Sequence, residues 1–208
     1  MVRSTQQWLD PITREDVEGR AEAARLLPGG RERALVVARA IRHPWYRCQA
    51  ITGVAEATAS TAERSALVAE ALAAACEQAE PNRVVNVAGW PLRVLVQYGD
   101  AGSARVVDHL LRVIADEPHG LRRLDGVAAI LGSVIGDAEL RALAWPAFLQ
   151  AAAGSAGWRT ERIVACMAEA LAAHDLAAAL RLLESRPANR FVVRARSAID
   201  ASSKRLGR

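Results

Sequence analysis

The chain has 208 residues, of which 51 % are hydrophobic and only 4 % aromatic, so its size suits one domain or one short array of repeats. The formal net charge is +4, yet 26 of the 27 basic residues are arginine, and the only lysine, Lys204, lies near the C-terminus. A Walker A phosphate loop is therefore excluded, and a Schiff-base lysine is disfavoured. Alanine, the strongest helix former, is abundant, which predicts an all-α fold.

Cysteine usage and the apolar pattern predict the compartment. Cys48, Cys76 and Cys166 form no CxxC pair, and their odd number argues against a disulfide framework. The opening residues MVRSTQQWLDP lack the apolar core of a signal peptide, and no apolar run reaches the length of a membrane span. We therefore expect a cytoplasmic protein with free thiols and no membrane contact.

Capping residues and breakers divide the chain into short predicted helices. Thr13 with Asp16 resembles a capping box and opens the first helix, which Pro28-Gly29-Gly30 ends. The segment HPWYRCQAITGVAEA (43–57) reads as the third helix, and the apolar spacing of 3.6 residues continues in later segments. The helices pair into an N-terminal capping pair, four repeats and a basic C-terminal helix, at about 13–42, 43–80, 81–118, 119–156, 157–188 and 189–206.

Arginines recur near the predicted helix starts, at Arg47, Arg83, Arg123, Arg162 and Arg194. Four residues after each, on the same predicted helical face, come Ile51, Val87, Val127, Cys166 and Ala198. The spacing matches a two-helix repeat of roughly 35–45 residues.

Two segments carry a family resemblance. RCQAITGVAEAT (47–58) and RIVACMAEALAAHD (162–175) resemble the R-x-x-A-hydrophobic-x-x-x-A-E-A pattern of bacterial HEAT- and TPR-like helical repeats. Trp90-Pro91, inside the first helix of its pair, is similar to the kinking proline of HEAT repeats. The resemblance implies an Armadillo-type right-handed superhelix of about five antiparallel helix pairs, a HEAT-like solenoid, whose usual work is to bind a protein or a nucleic acid.

No residue pattern predicts catalysis, a metal or a small-molecule cofactor. His43 and Cys48 straddle a helix start without two further ligands nearby, so we expect a core cysteine and no metal. Asp108 and His109 are adjacent on a helix and point about 100° apart, which excludes an acid–base dyad between them. The turn Gly99-Asp100-Ala101-Gly102-Ser103 could hold an anion on helix amides, but an ordinary inter-helix turn is the simpler interpretation.

Tryptophans and a basic C-terminal segment are the candidate contact features. Trp8, Trp45, Trp90, Trp145 and Trp158 either seal seams between helix pairs or form binding hot spots if exposed. Arg186, Arg190 and Arg194 recur at a spacing of four residues, which places them on one helical face, with Phe191 and Val193 turned elsewhere. That face is either a docking patch or a solvated cap on the last repeat.

The leading functional hypothesis is a non-enzymatic scaffold that binds another protein, as an adaptor or a toxin-neutralising immunity protein does. Trp45 and Trp90 are the predicted anchors, and Arg186, Arg190 and Arg194 the predicted electrostatic guides. The alternative is nucleic-acid binding through the basic C-terminal helix. It includes an alkylpurine DNA glycosylase, for which Asp125 with Trp90 and Trp158 is the only candidate active-site set. The charge of residues 51–100 argues against nucleic-acid binding, because this segment carries three basic and six acidic side chains.

Overall fold

The structure is a computed structural model that describes residues 11–205, and the prediction of an all-α fold is confirmed. Over that range the chain forms eleven α-helices and no β-strand. The helices are α1 (Arg14–Leu26), α2 (Arg31–Ala40), α3 (Pro44–Glu56), α4 (Thr61–Ala75), α5 (Pro81–Gln97), α6 (Ser103–Ala115), α7 (Gly120–Val134), α8 (Ala138–Ala153), α9 (Trp158–Ala172), α10 (Leu176–Glu184) and α11 (Arg190–Arg205). The stretch MVRSTQQWLD, which includes Trp8, and residues 206–208 lie outside the described part.

Side-chain caps explain why the helices begin where they do. Thr13 and Asp16 form the capping box that the sequence predicts at the start of α1. Asp137 and Asp175 cap α8 and α10 by accepting hydrogen bonds from backbone amides of the first turn. Two histidines also act as caps, because Nδ1 of His43 accepts from Trp45 N–H at 3.2 Å and Nδ1 of His119 accepts from Arg122 N–H at 3.5 Å.

The chain divides into two compact units, one ending at Glu117 and the other beginning at Pro118. In the first unit, α1 pairs with α2, α3 with α4 and α5 with α6. The first helices of these pairs also contact one another in the order α1, α3, α5. The fully buried side chains between them are small or medium-sized, such as Ile51, Val54 and Leu92, because alanine-rich helices approach closely.

The second unit repeats this arrangement. Helix α7 pairs with α8 and α9 with α10, while α7, α9 and α11 contact one another in that order. Its largest fully buried side chain is Phe148, whose ring stacks on that of Trp145 with centroids 5.7 Å apart. In both units, therefore, helices pack in neighbouring pairs, and alternate helices lie side by side.

The five recurring arginines lie within the first five residues of α3, α5, α7, α9 and α11. The residues four positions after these arginines differ in burial between the helices. Ile51, Val87 and Val127 are buried, but Cys166 and Ala198 are exposed, because α9 and α11 are rotated relative to the assumed alignment.

A different register recurs in the five helices that carry these arginines, α3, α5, α7, α9 and α11. Three positions spaced i, i+3 and i+7 are buried in each, and the first of them is Cys48, Val84, Leu124, Glu161 or Val192. Because i, i+3 and i+7 fall on one helical face, this stripe is the surface by which each helix joins its core. Glu161 is the only charged side chain at the first stripe position of these five helices.

The tight packing of the second unit predicts that truncating Phe148 is costly. Phe148→Ala removes a fully buried ring and its stack on Trp145, so we expect a loss of about 3–5 kcal/mol in the free energy of unfolding. Leu149→Ala is the matched control, since Leu149 is its neighbour and is 41 % exposed, and it is expected to cost under about 0.5 kcal/mol. Urea unfolding followed by far-UV circular dichroism measures both, and equal losses would contradict the packing.

Candidate binding site

The two predicted tryptophan anchors lie in the first unit and differ in exposure. Trp45 is half-buried in the first turn of α3, and its backbone N–H is held by the His43 cap. Trp90 lies on α5 and is 40 % exposed, with the Arg93 guanidinium 5.9 Å from its ring centroid. Each is therefore partly accessible, and neither is joined to a described pocket that could receive a ligand.

The predicted face of Arg186, Arg190 and Arg194 is wrong for Arg186. Helix α11 begins at Arg190, so Arg186 lies before the helix and shares no helical face with the other two. Arg190 and Arg194 are exposed and one turn apart on α11. Val193 is 60 % exposed, and the buried stripe of α11 is Val192, Ala195 and Ile199.

Arg186 instead makes a buried ion pair with Glu161. Its guanidinium contacts both carboxylate oxygens of Glu161, and the two side chains are only 15 % and 12 % exposed. Arg186 also donates to the carbonyl oxygen of Ala152 at 3.2 Å, and the side-chain amide of Asn189 donates to Glu161 at 3.2 Å. The same Asn189 accepts from Phe191 and Val192 N–H, which caps α11. This cluster joins α9, the end of α8 and the start of α11.

An open cavity of about 600 Å³ lies beside that cluster. Its apolar walls are Gly157, Trp158, Pro187 and Phe191, and its polar lining is Glu161, Asn189 and Arg190. The volume falls within the range of ligand pockets, about 300–1,000 Å³. Trp158 opens α9 at its first turn and is 55 % exposed, which makes it the most exposed tryptophan that the structure describes.

Arginine side chains stack on both aromatic rings of the cavity. The guanidinium carbons of Arg159 and Arg162 lie 5.3 and 5.6 Å from the Trp158 ring centroid, and that of Arg190 lies 4.7 Å from the Phe191 centroid. Such contacts hold a cation by its attraction to the ring quadrupole. We call this surface the α9–α11 face, defined by Trp158, Arg159, Arg162, Arg190, Phe191 and Arg194.

The arginines of this face lack carboxylate partners. Within residues 11–205, Arg159, Arg162, Arg190 and Arg194 form no ion pair. The first unit differs, because Arg31, Arg39 and Arg47 pair with Glu63, Glu70 and Glu77 at 2.5–2.9 Å. Four cations beside an apolar cavity therefore have free charge to offer a ligand.

Sequence reasoning identified Arg190 and Arg194 but missed Arg159 and Arg162 as members of this face. A signal was present for Arg162, because it follows Trp158 at i+4, a spacing that returns to the same side of a helix. The cavity itself has no sequence signal, since residues 157–161 and 187–191 meet only after α9 and α11 pack together.

The other candidate sites have structural explanations. The Cys48 thiol is buried, which raises its pKa to about 12 and keeps it protonated. Burial also lowers the pKa of His43, whose Nδ1 is occupied as the α3 cap. In the described residues no group of three or more His, Cys, Asp or Glu side chains is placed to hold a metal ion, and no helix is long and apolar enough to cross a membrane.

The Gly99–Ser103 turn is occupied by its own carboxylate. Oδ1 of Asp100 accepts from Gly102 N–H at 2.7 Å, and Oδ2 accepts from the Ser65 hydroxyl at 2.7 Å. The turn amide that an external anion would need is therefore already bonded. These hydrogen bonds, from Gly102 first and Ser65 second, lower the pKa of Asp100.

The chain matches no known family model, no curated protein and no solved structure in the comparisons made.

The Asp100 turn gives a pH-dependent prediction. Because the folded-state pKa of Asp100 lies below its ordinary value of 3.8, its contribution to stability is present above pH 3.8 and is lost as the pH falls through the folded pKa. Asp100→Asn replaces hydrogen bonds to a charged carboxylate by neutral ones, so it should cost about 1 kcal/mol at neutral pH and progressively less in acid. Asp108→Asn, at an exposed pair with Arg112, is the control and should change stability by under about 0.5 kcal/mol. Urea midpoints across the pH range measure the difference, and a constant difference would contradict this account.

The Glu161–Arg186 pair predicts a double-mutant result. Arg186→Met leaves the buried Glu161 carboxylate uncompensated and should destabilise the protein by about 3–5 kcal/mol. Adding Glu161→Leu places an apolar side chain at this position, as Val84 and Leu124 do at the equivalent positions of α5 and α7. The double variant should therefore recover most of the lost stability. Chemical unfolding of the two single variants and the double variant gives the coupling energy, and additive losses would contradict the buried pair.

Proposed function

We propose that the chain is a non-enzymatic, HEAT-like helical-repeat scaffold that binds another protein, and that the α9–α11 face is its main contact surface. The observation that carries this proposal is an exposed Trp158 at the mouth of an apolar cavity, beside Arg159 and Arg162, which have no ion-pair partner within residues 11–205. Tryptophan and arginine are the residues most enriched among binding hot spots. Arg190 and Arg194 supply the electrostatic guidance that the sequence suggests for them.

The repeat architecture supports a scaffold. Helices in neighbouring pairs, with alternate helices side by side, leave helix faces open to a partner, as in HEAT- and TPR-like repeats. An adaptor or a toxin-neutralising immunity protein would use such a surface. Trp90, which Arg93 approaches in the first unit, is a second contact point in this proposal. In this proposal Arg186 supports the α9–α11 face through its ion pair with Glu161.

The alternative is a nucleic-acid-binding repeat protein, and one observation favours it. Aromatic rings beside arginines are the elements that bind single-stranded nucleic acid by stacking and charge. The glycosylase version of this alternative would use Asp125 with Trp90 and Trp158.

Partner capture from a lysate of the source organism tests the proposed surface. Immobilised wild-type protein should retain a specific protein, and Trp158→Ala should reduce its recovery at least about tenfold, because hot-spot truncation costs roughly 2 kcal/mol or more. Leu143→Ala is the matched control, since Leu143 is 49 % exposed on α8 and outside the face. Quantitative mass spectrometry gives the ratio, and unchanged recovery with Trp158→Ala contradicts the proposed surface.

A salt titration separates the nucleic-acid alternative. Backbone contacts predict that log affinity falls with log salt concentration by about 0.9 for each phosphate neutralised on duplex DNA. Absence of duplex and single-strand binding at low salt, measured by fluorescence anisotropy, excludes that alternative.

A further inference from the structure

The α9–α11 face combines two chemical features that select a particular kind of occupant. One is the apolar cavity between Trp158 and Phe191, and the other is the set of unpaired guanidinium groups around it. We propose that the occupant is an acidic segment of the partner protein, which places one large apolar side chain in the cavity and its carboxylates on Arg162 and Arg190. This inference rests on the proposed function and adds the chemistry of the partner.

The charge of the cavity favours an anionic ligand. Glu161 is the only carboxylate that lines it, and that carboxylate is already bonded by Arg186 and Asn189. A cationic ligand would therefore find no free carboxylate in the lining. Arg190 lines the same cavity and has no ion-pair partner within the described residues. The unbalanced charge at the cavity is positive.

The geometry of the arginines favours carboxylates. The guanidinium carbons of Arg162 and Arg190 lie 5.6 and 4.7 Å from ring centroids, and neither group forms an ion pair within the described residues, so each can donate two parallel hydrogen bonds to a carboxylate. Stacking also reduces the side-chain freedom that Arg162 and Arg190 would otherwise lose on binding. The pair is therefore preorganised for an acidic side chain.

Carboxylates on the same two helices disfavour a nucleic-acid strand. Exposed Glu169 and Asp200 lie further along α9 and α11, where a tracking phosphate backbone would meet them. A short acidic peptide at the helix starts would avoid both carboxylates.

The probe is a fluorescein-labelled peptide, DEDFLDED, with fluorescence anisotropy as the readout at low and moderate salt. We expect saturable binding that weakens as salt rises. Replacing its Phe and Leu by alanine, which removes the group for the cavity, should weaken binding about tenfold or more. An oligothymidylate of similar length serves as the competing nucleic-acid probe.

Matched double variants locate the contact. Arg162→Gln with Arg190→Gln removes two charges from the face and should weaken peptide binding about tenfold or more. Arg33→Gln with Arg42→Gln removes two charges from exposed arginines of the first unit and should leave the affinity within about twofold. Unchanged thermal unfolding of all variants ensures that the comparison concerns binding.

Three results would overturn the inference: no peptide binding at low salt, equal weakening by both double variants, or tighter binding of the oligothymidylate than of the peptide. The proposed function has a separate readout. If Trp158→Ala abolishes partner capture while the acidic peptide fails to bind, the α9–α11 face is the contact surface but the bound segment is not acidic. If the peptide binds through Arg162 and Arg190 but Trp158→Ala leaves partner recovery unchanged, the face binds acidic peptides and the proposed function is wrong.

Discussion

The buried contact between Glu161 and Arg186 is the interaction on which the candidate site depends. Glu161 occupies a register position that is apolar in α3, α5, α7 and α11, and a carboxylate there is tolerated only because Arg186 and Asn189 satisfy it. The same Asn189 caps α11. One cluster therefore holds the start of α11 beside α9 and so brings Phe191 and Trp158 to one cavity.

The arginines of α2 and α3 and those of the α9–α11 face have different partners. In the first unit, arginines of α2 and α3 are neutralised by glutamates of α4 and of the turn that follows it. Exposed pairs of this kind contribute little to stability, but they remove net charge from the surface. On the α9–α11 face the arginines rest on aromatic rings, which hold the cation without cancelling its charge. In the proposed function, these arginines keep their positive charge available for an acidic partner.

Much of the helical framework could be read from residue types because its causes are local. The capping box at Thr13, the prolines that open α3 and α5 and the alanine-rich spacing place most helix ends within a few residues of their observed bounds. The errors arose where a local pattern was extended beyond its helix. Arg186 has the spacing of Arg190 and Arg194, but Asn189 starts α11 after it, and spacing alone carries no information on where a cap intervenes.

The sequence by itself determined that this protein is all-α, where most of its helices begin and end, and that Arg162 follows Trp158 by one helical turn, since each of these depends on residues close in the chain. Only the tertiary structure decided which positions of α9 and α11 are buried, that Glu161 and Arg186 neutralise each other, and that Trp158 and Phe191 share a cavity. Those outcomes depend on the rotation of one helix against another, which is set by side-chain packing between segments far apart in the chain.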